Sequence, residues 1–187
     1  MANTKNNTAA KKAETAKKET AVAATAPEIT VKEVVRPVVP KEIDPNQFIT
    51  VRNGFHGQLI YKSARTGELF VWNEYGAIQE MELRELRNAK SAHKKIFENN
   101  WFMFDEDWVI DYLGVRQYYK NAIPIDGFDS IFTKSPAELK KLIGTMSDGQ
   151  KKSVAYRARQ LILDGEIDSR KTIAALEETL GIELVEQ

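Results

Sequence analysis

Few side chains in this sequence could do chemistry, and their spacing decides which kind. There are two histidines, His56 and His93. His56 lies in Gly54-Phe55-His56-Gly57, a tight turn with no cysteine or second histidine beside it to complete a metal site. His93 falls mid-stripe on an expected helix, and a lone histidine on an apolar face reads as a hydrogen-bonded core residue. Asp105, Glu106, Asp107 and Asp111 crowd into FDEDWVID and could suggest a divalent-metal or general-acid site. A helix N-terminus favours the same residues, because carboxylates cap free N–H groups and meet the positive end of the dipole. Hard-metal sites generally draw carboxylates from several elements, so the capping account is preferred. Gly54 and Gly57 alone are too little to cradle a phosphate, and no GxSxG, phosphate loop or dinucleotide fingerprint is present. No catalytic residue, cofactor or metal site is assigned, and an enzyme is not expected.

The strongest basic constellation follows Ser147. Lys152, Tyr156 and Arg159 stand at i, i+4 and i+7 of an expected helix, flanked by Lys151 and Arg157. Cations with an interleaved aromatic ring could contact phosphate and stack a base. The turn Asp164-Gly165-Glu166-Ile167 also suggests a helix-turn-helix arrangement. Against this, Asp164, Glu166, Asp168, Glu177 and Glu178 lie just downstream and would repel a phosphate backbone. A solvated face is the preferred reading, with nucleic-acid contact as the alternative.

Composition narrows the classes further. A chain of 187 residues suits one ordinary domain plus a tail. Lys plus Arg and Asp plus Glu both total 27, so no global charge draws it to nucleic acid or an anionic membrane. The absence of cysteine excludes disulfides, thiolate metal sites and a cysteine nucleophile. No apolar run approaches the ~20 residues of a membrane helix, and MANTKNNTAAKKAETAKKET has no hydrophobic block like that of a signal peptide. The expectation is a soluble protein made in a cytoplasm, without membrane contact.

The elements that must position these residues are legible by period. Residues 1–46 read as an arm: Ala, Lys, Thr, Glu and Asn first, which cannot bury enough apolar surface to offset ordering entropy. Then come Ile29, Val31, Val34, Val35, Val38 and Val39, punctuated by Pro27, Pro37, Pro40 and Pro45. Such a run suits an extended segment laid along a partner's sheet edge or groove, and equally a plain linker. From Phe48 the alternation predicts strands at 48–51, 58–62 and 68–72, an antiparallel meander with a short fourth strand at 77–80. A helix over 81–98 carries Leu83, Leu86, Ala89, His93, Ile96 and Phe97 on one stripe. Its opposite side holds Arg84, Arg87, Asn88, Ser91, Lys94 and Lys95. Residues 100–119 hold seven aromatic rings, and the core is expected there.

Downstream, Ser135-Pro136-Ala137-Glu138 is a capping box, and Ser147-Asp148-Gly149-Gln150 a second. Asp168 is the expected cap of a last helix ending before Gly181. The fold class is α+β: a small antiparallel meander of three or four strands covered by a helix, then a C-terminal group of helices. The expected parts are an arm at 1–46, a core domain at 47–132 and a helical region at 133–187 packed on it.

The span 51–186, especially VRNGFHGQLIYKSARTGELFVWNEYGAIQEMELRELRNAKSAHKKIFENNWFMFDED and SDGQKKSVAYRARQLILDGEIDSRKTIAALEETLGIEL, resembles small uncharacterised proteins of tailed bacteriophages of Gram-positive hosts. The resemblance rests on overall texture and brings no functional motif. It implies a non-enzymatic particle component of head, neck or tail, made in the host cytoplasm, with other virion subunits as partners in a homo- or hetero-oligomeric assembly. An arm that orders against neighbouring subunits is consistent with it.

Overall fold

The structure is a computed structural model and describes residues 42–185. It is α+β, with antiparallel strands followed by a C-terminal set of helices. Strand β1 (Phe48–Asn53) turns Ile49, Val51 and Asn53 inward in strict alternation. It is the centre of a three-stranded sheet, with β4 (Ile78–Glu82) on one side and β5 (Phe102–Phe104) on the other. Strands β2 (Leu59–Lys62) and β3 (Leu69–Trp72) form a separate hairpin. All pairings are antiparallel, but the first three strands do not run as a meander.

Local hydrogen bonds explain the departure. Ser63 closes the hairpin turn, exchanging backbone bonds with Glu68 and Gly67. Asn53, by contrast, terminates β1: its Nδ2 donates to the Gly57 and Glu74 carbonyls, and its Oδ1 accepts from the Phe55 N–H. The chain thus leaves the sheet at Gly54, whose N–H donates to the Trp101 carbonyl. The hairpin returns to the sheet by its side chains, Trp72 Nε1 donating to the Val51 carbonyl at 2.9 Å.

The expected helix over 81–98 is two helices, α1 (Leu83–Ala92) and α2 (Lys95–Glu98). The break turns Ile96 and Phe97 into the core and leaves His93 exposed at the end of α1, its ring edge-on to Tyr61 at 5.7 Å. The expectation of a core histidine is therefore corrected. Two short helices follow β5, α3 (Asp107–Tyr112) and α4 (Arg116–Tyr119), then a 3-10 segment (Ile125–Thr133). Helix α5 (Pro136–Gly144) opens on the Ser135/Glu138 capping box, and α6 (Asp148–Leu163) on Ser147 accepting from the Gln150 N–H. Helix α7 (Arg170–Leu180) is capped by Ser169, one residue beyond the expected Asp168.

Two hydrophobic clusters result. The first, between sheet, hairpin and α1 to α4, buries Tyr61, Trp72, Met81, Leu86, Phe97 and Phe102. The second joins the 3-10 segment to α5, α6 and α7 through Phe128, Ile131, Leu139, Ile143, Val154 and Leu176. Each such side chain contributes roughly 1.5–3 kcal/mol on burial. The core expected at 100–119 is one part of the first cluster: Trp101, Trp108, Tyr112 and Tyr118 are only half-buried there. Two glycines near the seam leave no room for a side chain, Gly54 within the sheet half and Gly149 where α6 meets it. A Cβ on Gly54 would stand 2.1 Å from the Asn100 carbonyl oxygen, and one on Gly149, 2.2 Å from that of Asn99. Asn100 itself adopts a left-handed φ of 57° and donates from Nδ2 to the Tyr118 carbonyl.

Candidate functional site

The seam places His56 where the two halves converge. The residue is 9% exposed. Its backbone N–H donates to Ser153 Oγ of α6, which donates in turn to the Gly54 carbonyl, both at 3.2 Å. The imidazole stacks on Tyr75 with centroids 3.9 Å apart and planes within 7°. Phe128 tilts against it at 4.8 Å, and Tyr156 lies beyond at 6.4 Å. His56 Nε2 is buried and has no hydrogen-bond partner. Beside the ring is a cleft of about 300 Å³ lined by Tyr75, Ile125, Asp126, Phe128, Asp129 and Arg157.

Electrostatics keep this histidine neutral. Burial, then the neighbouring Arg157 guanidinium, push it down to about 4, while Asp129 opposes them. Arg157 is itself held by Asp129 through Nη2 at 2.7 Å and Nε at 3.0 Å, which draws the carboxyl below its usual range. Burial likewise pushes the Tyr75 phenol above its ordinary value. Ser153 contacts the backbone of His56 and not its ring, so the pair lacks the geometry of a nucleophile and its base. What the arrangement does is pin the β1–β2 loop against α6.

Of the acids of FDEDWVID, Asp107 lies in the first turn of α3 as expected, but no side chain caps the helix. Glu106 occupies the N-cap of α3 without a side-chain cap bond. Asp111 instead takes Arg116 in a two-pronged grip at 2.7 and 2.8 Å, and Asp107 adds a third bond at 2.9 Å. The guanidinium holds the Asp111 carboxyl below its usual range. The convergence fixes α4 on α3. Asp105 faces Arg52 at 3.6 Å. Among the described residues, no group of three His, Asp or Glu side chains is set to hold a metal ion.

On α6, Lys152, Tyr156 and Arg159 share an exposed face, with Tyr156 49% accessible. Their flanks are committed: Arg157 to Asp129, Lys151 to Asp148 at 3.8 Å, and Arg159 itself to the Glu183 carbonyl at 2.9 Å. The arm residues Ile29, Val31, Val34, Val35, Val38 and Val39 lie outside the described residues.

Sequence reasoning placed His56 in its turn but missed its company. Tyr75, Phe128 and Tyr156 come from three distant segments, and no spacing links them. The only signal was a histidine between two glycines. Among the described residues no helix is long and apolar enough to cross a membrane. The chain matches no family model, no curated protein and no solved structure.

Proposed function

We propose that this chain is a non-enzymatic structural component of a tailed-phage particle, whose N-terminal arm docks on neighbouring subunits. The observation that carries the reading is the contrast within the sequence. No aromatic residue precedes Phe48, while a Val-rich, Pro-punctuated run leads into a body that resembles small phage proteins. Arms of this composition gain their order from a partner and enlarge the contact surface when they do. The pairing of ionised groups within the body supports the reading, because Asp107, Asp111 and Asp129 are spent on arginines and not turned toward a substrate.

The test is truncation, and the structure sets its boundary. Ile43 packs on the first cluster, and the Pro45 and Gln47 carbonyls accept from the N–H groups of Arg84 and Leu83. A chain that begins at residue 42 keeps these contacts of Ile43, Pro45 and Gln47. The truncated chain should fold and stay soluble but fail to enter particles. Normal incorporation would end the proposal.

A further inference from the structure

A second surface stands apart from the seam and from α6. The outward side of α1 presents Arg84, Arg87 and Ser91 at i, i+3 and i+7, with Lys90 beside them. The fold brings Tyr112 and Leu113, from the end of α3, up against this side. Together with Asn88 they line an open groove of about 550 Å³. Three cations and an aromatic ring line it, and no carboxylate does, in a chain whose charges balance at 27 each.

The cations differ in how much charge they leave free. Arg84 shares its guanidinium with Glu82, at the rim. Arg87 is exposed and makes no ion pair among the described residues. Lys90 donates to the Leu113 carbonyl at 2.5 Å, a neutral acceptor that fixes the ammonium at the groove without cancelling its charge. Further along, Lys94 pairs with Glu98 at 2.8 Å and lies over the Tyr118 ring. The net positive charge is therefore concentrated at Arg87 and Lys90, next to Tyr112. The face of α6 has the reverse character, with two of its arginines already engaged.

We propose that this groove binds the sugar-phosphate backbone of single-stranded nucleic acid without regard to sequence, Arg87 and Lys90 meeting phosphates and Tyr112 stacking a base. Fixed cations along a groove with an aromatic plate are what such strands require. An acidic peptide would use the cations but leave the ring idle, and Leu113 alone offers its side chains an apolar socket. The inference goes beyond the assembly reading and has its own readout: the free chain binds an oligonucleotide, whereas the arm is judged by incorporation.

The experiment is fluorescence anisotropy of the full chain with a labelled oligothymidylate of about 20 nucleotides. With two or three phosphate contacts, affinity should fall about 20- to 80-fold between roughly 25 mM and 200 mM salt. Arg87→Glu should weaken binding by about tenfold or more at low salt, and Tyr112→Leu by about fivefold or more. Lys152→Glu should leave it unchanged. Ser91→Glu sets a carboxylate in the groove from an exposed position and should match Arg87→Glu, so misfolding of one variant does not decide the matter. No binding at low salt overturns the proposal, as does binding indifferent to both Arg87→Glu and Ser91→Glu. Loss on Lys152→Glu alone would move the surface to α6. Displacement by polyglutamate at equal charge concentration would reassign the groove to an acidic peptide, and also overturns it.

Discussion

The two halves of the body are held by different chemistry. Around the sheet, large rings are anchored by buried polar bonds: Trp72 to the Val51 carbonyl, Tyr119 to that of Phe102, and Tyr61 to the Glu85 carboxylate. The helical half is mostly aliphatic, with Leu139, Ile143, Val154, Ala158 and Leu176 meeting across short connections. Its helix starts are fixed by local caps at Ser135, Ser147 and Ser169, and its buried polar bonds, from Ser153 and Gln150, lie toward the seam. One half depends on a few long-range anchors that each fix position and satisfy a polar group. The other depends on many interchangeable apolar contacts with local punctuation. Single losses should therefore be costly in the first and graded in the second.

Trp72→Ala should give the largest effect. It opens a cavity in the ring cluster and orphans the Val51 carbonyl, lowering stability by about 4 kcal/mol in urea unfolding. Leu176→Ala, its counterpart in the aliphatic half, should cost nearer 3 kcal/mol. Equal costs would erase the distinction. Gly149→Ala attacks the joint: the added methyl collides with the Asn99 carbonyl and should cost about 3 kcal/mol. Its signature is a split of one unfolding transition into two, read by tryptophan fluorescence for the ring-built half, whose cluster takes in all three tryptophans, and by circular dichroism for the helices. A single sharp transition in the variant would show that the halves are coupled elsewhere.

Protons probe the same joint. His56 in the fold titrates at about 4, below its ordinary 6.5. Between these values the unfolded chain binds the extra proton, so the contribution is complete above 6.5 and fades as pH falls toward 4. Its full size is about 3 kcal/mol. His56→Phe keeps a ring against Tyr75 and should flatten that part of the pH profile, leaving the slope from Asp129. An unchanged profile between pH 7 and about 4 would show that the site has no such linkage. The smallest effect is expected at a cap: Ser135→Ala should cost about 1 kcal/mol, measured by thermal unfolding.

The contrast also explains what could be read in advance. The helical half was legible because its signals are local: a serine, a proline and a glutamate within four residues define the start of α5. The strands were legible as strands, since burial alternates along β1 as the residues do. Their partners were not. That β1 lies between β4 and β5 depends on Asn53 tying down two loops and on Trp72 reaching Val51, contacts no period encodes. The partner of the α3 acids was hidden for the same reason, since Arg116 reaches Asp107 and Asp111 only after α4 folds back. The His56 stack and the α1 groove each draw on segments whose sequence separation hides them. The aromatic residues at 100–119 did mark the ring-built half, though Trp72, Tyr61 and Phe97 complete it from elsewhere.

The bond from Gly54 to Trp101 has a consequence for how this protein ages. An Asn-Gly pair such as Asn53-Gly54 is prone to spontaneous loss of ammonia, because the glycine nitrogen can swing round to attack the amide beside it. Here that nitrogen donates to a carbonyl, and the amide it would attack is buried and bonded on both of its atoms. That labile link is thus held out of reach for as long as the sheet holds, and unfolding is what would release it.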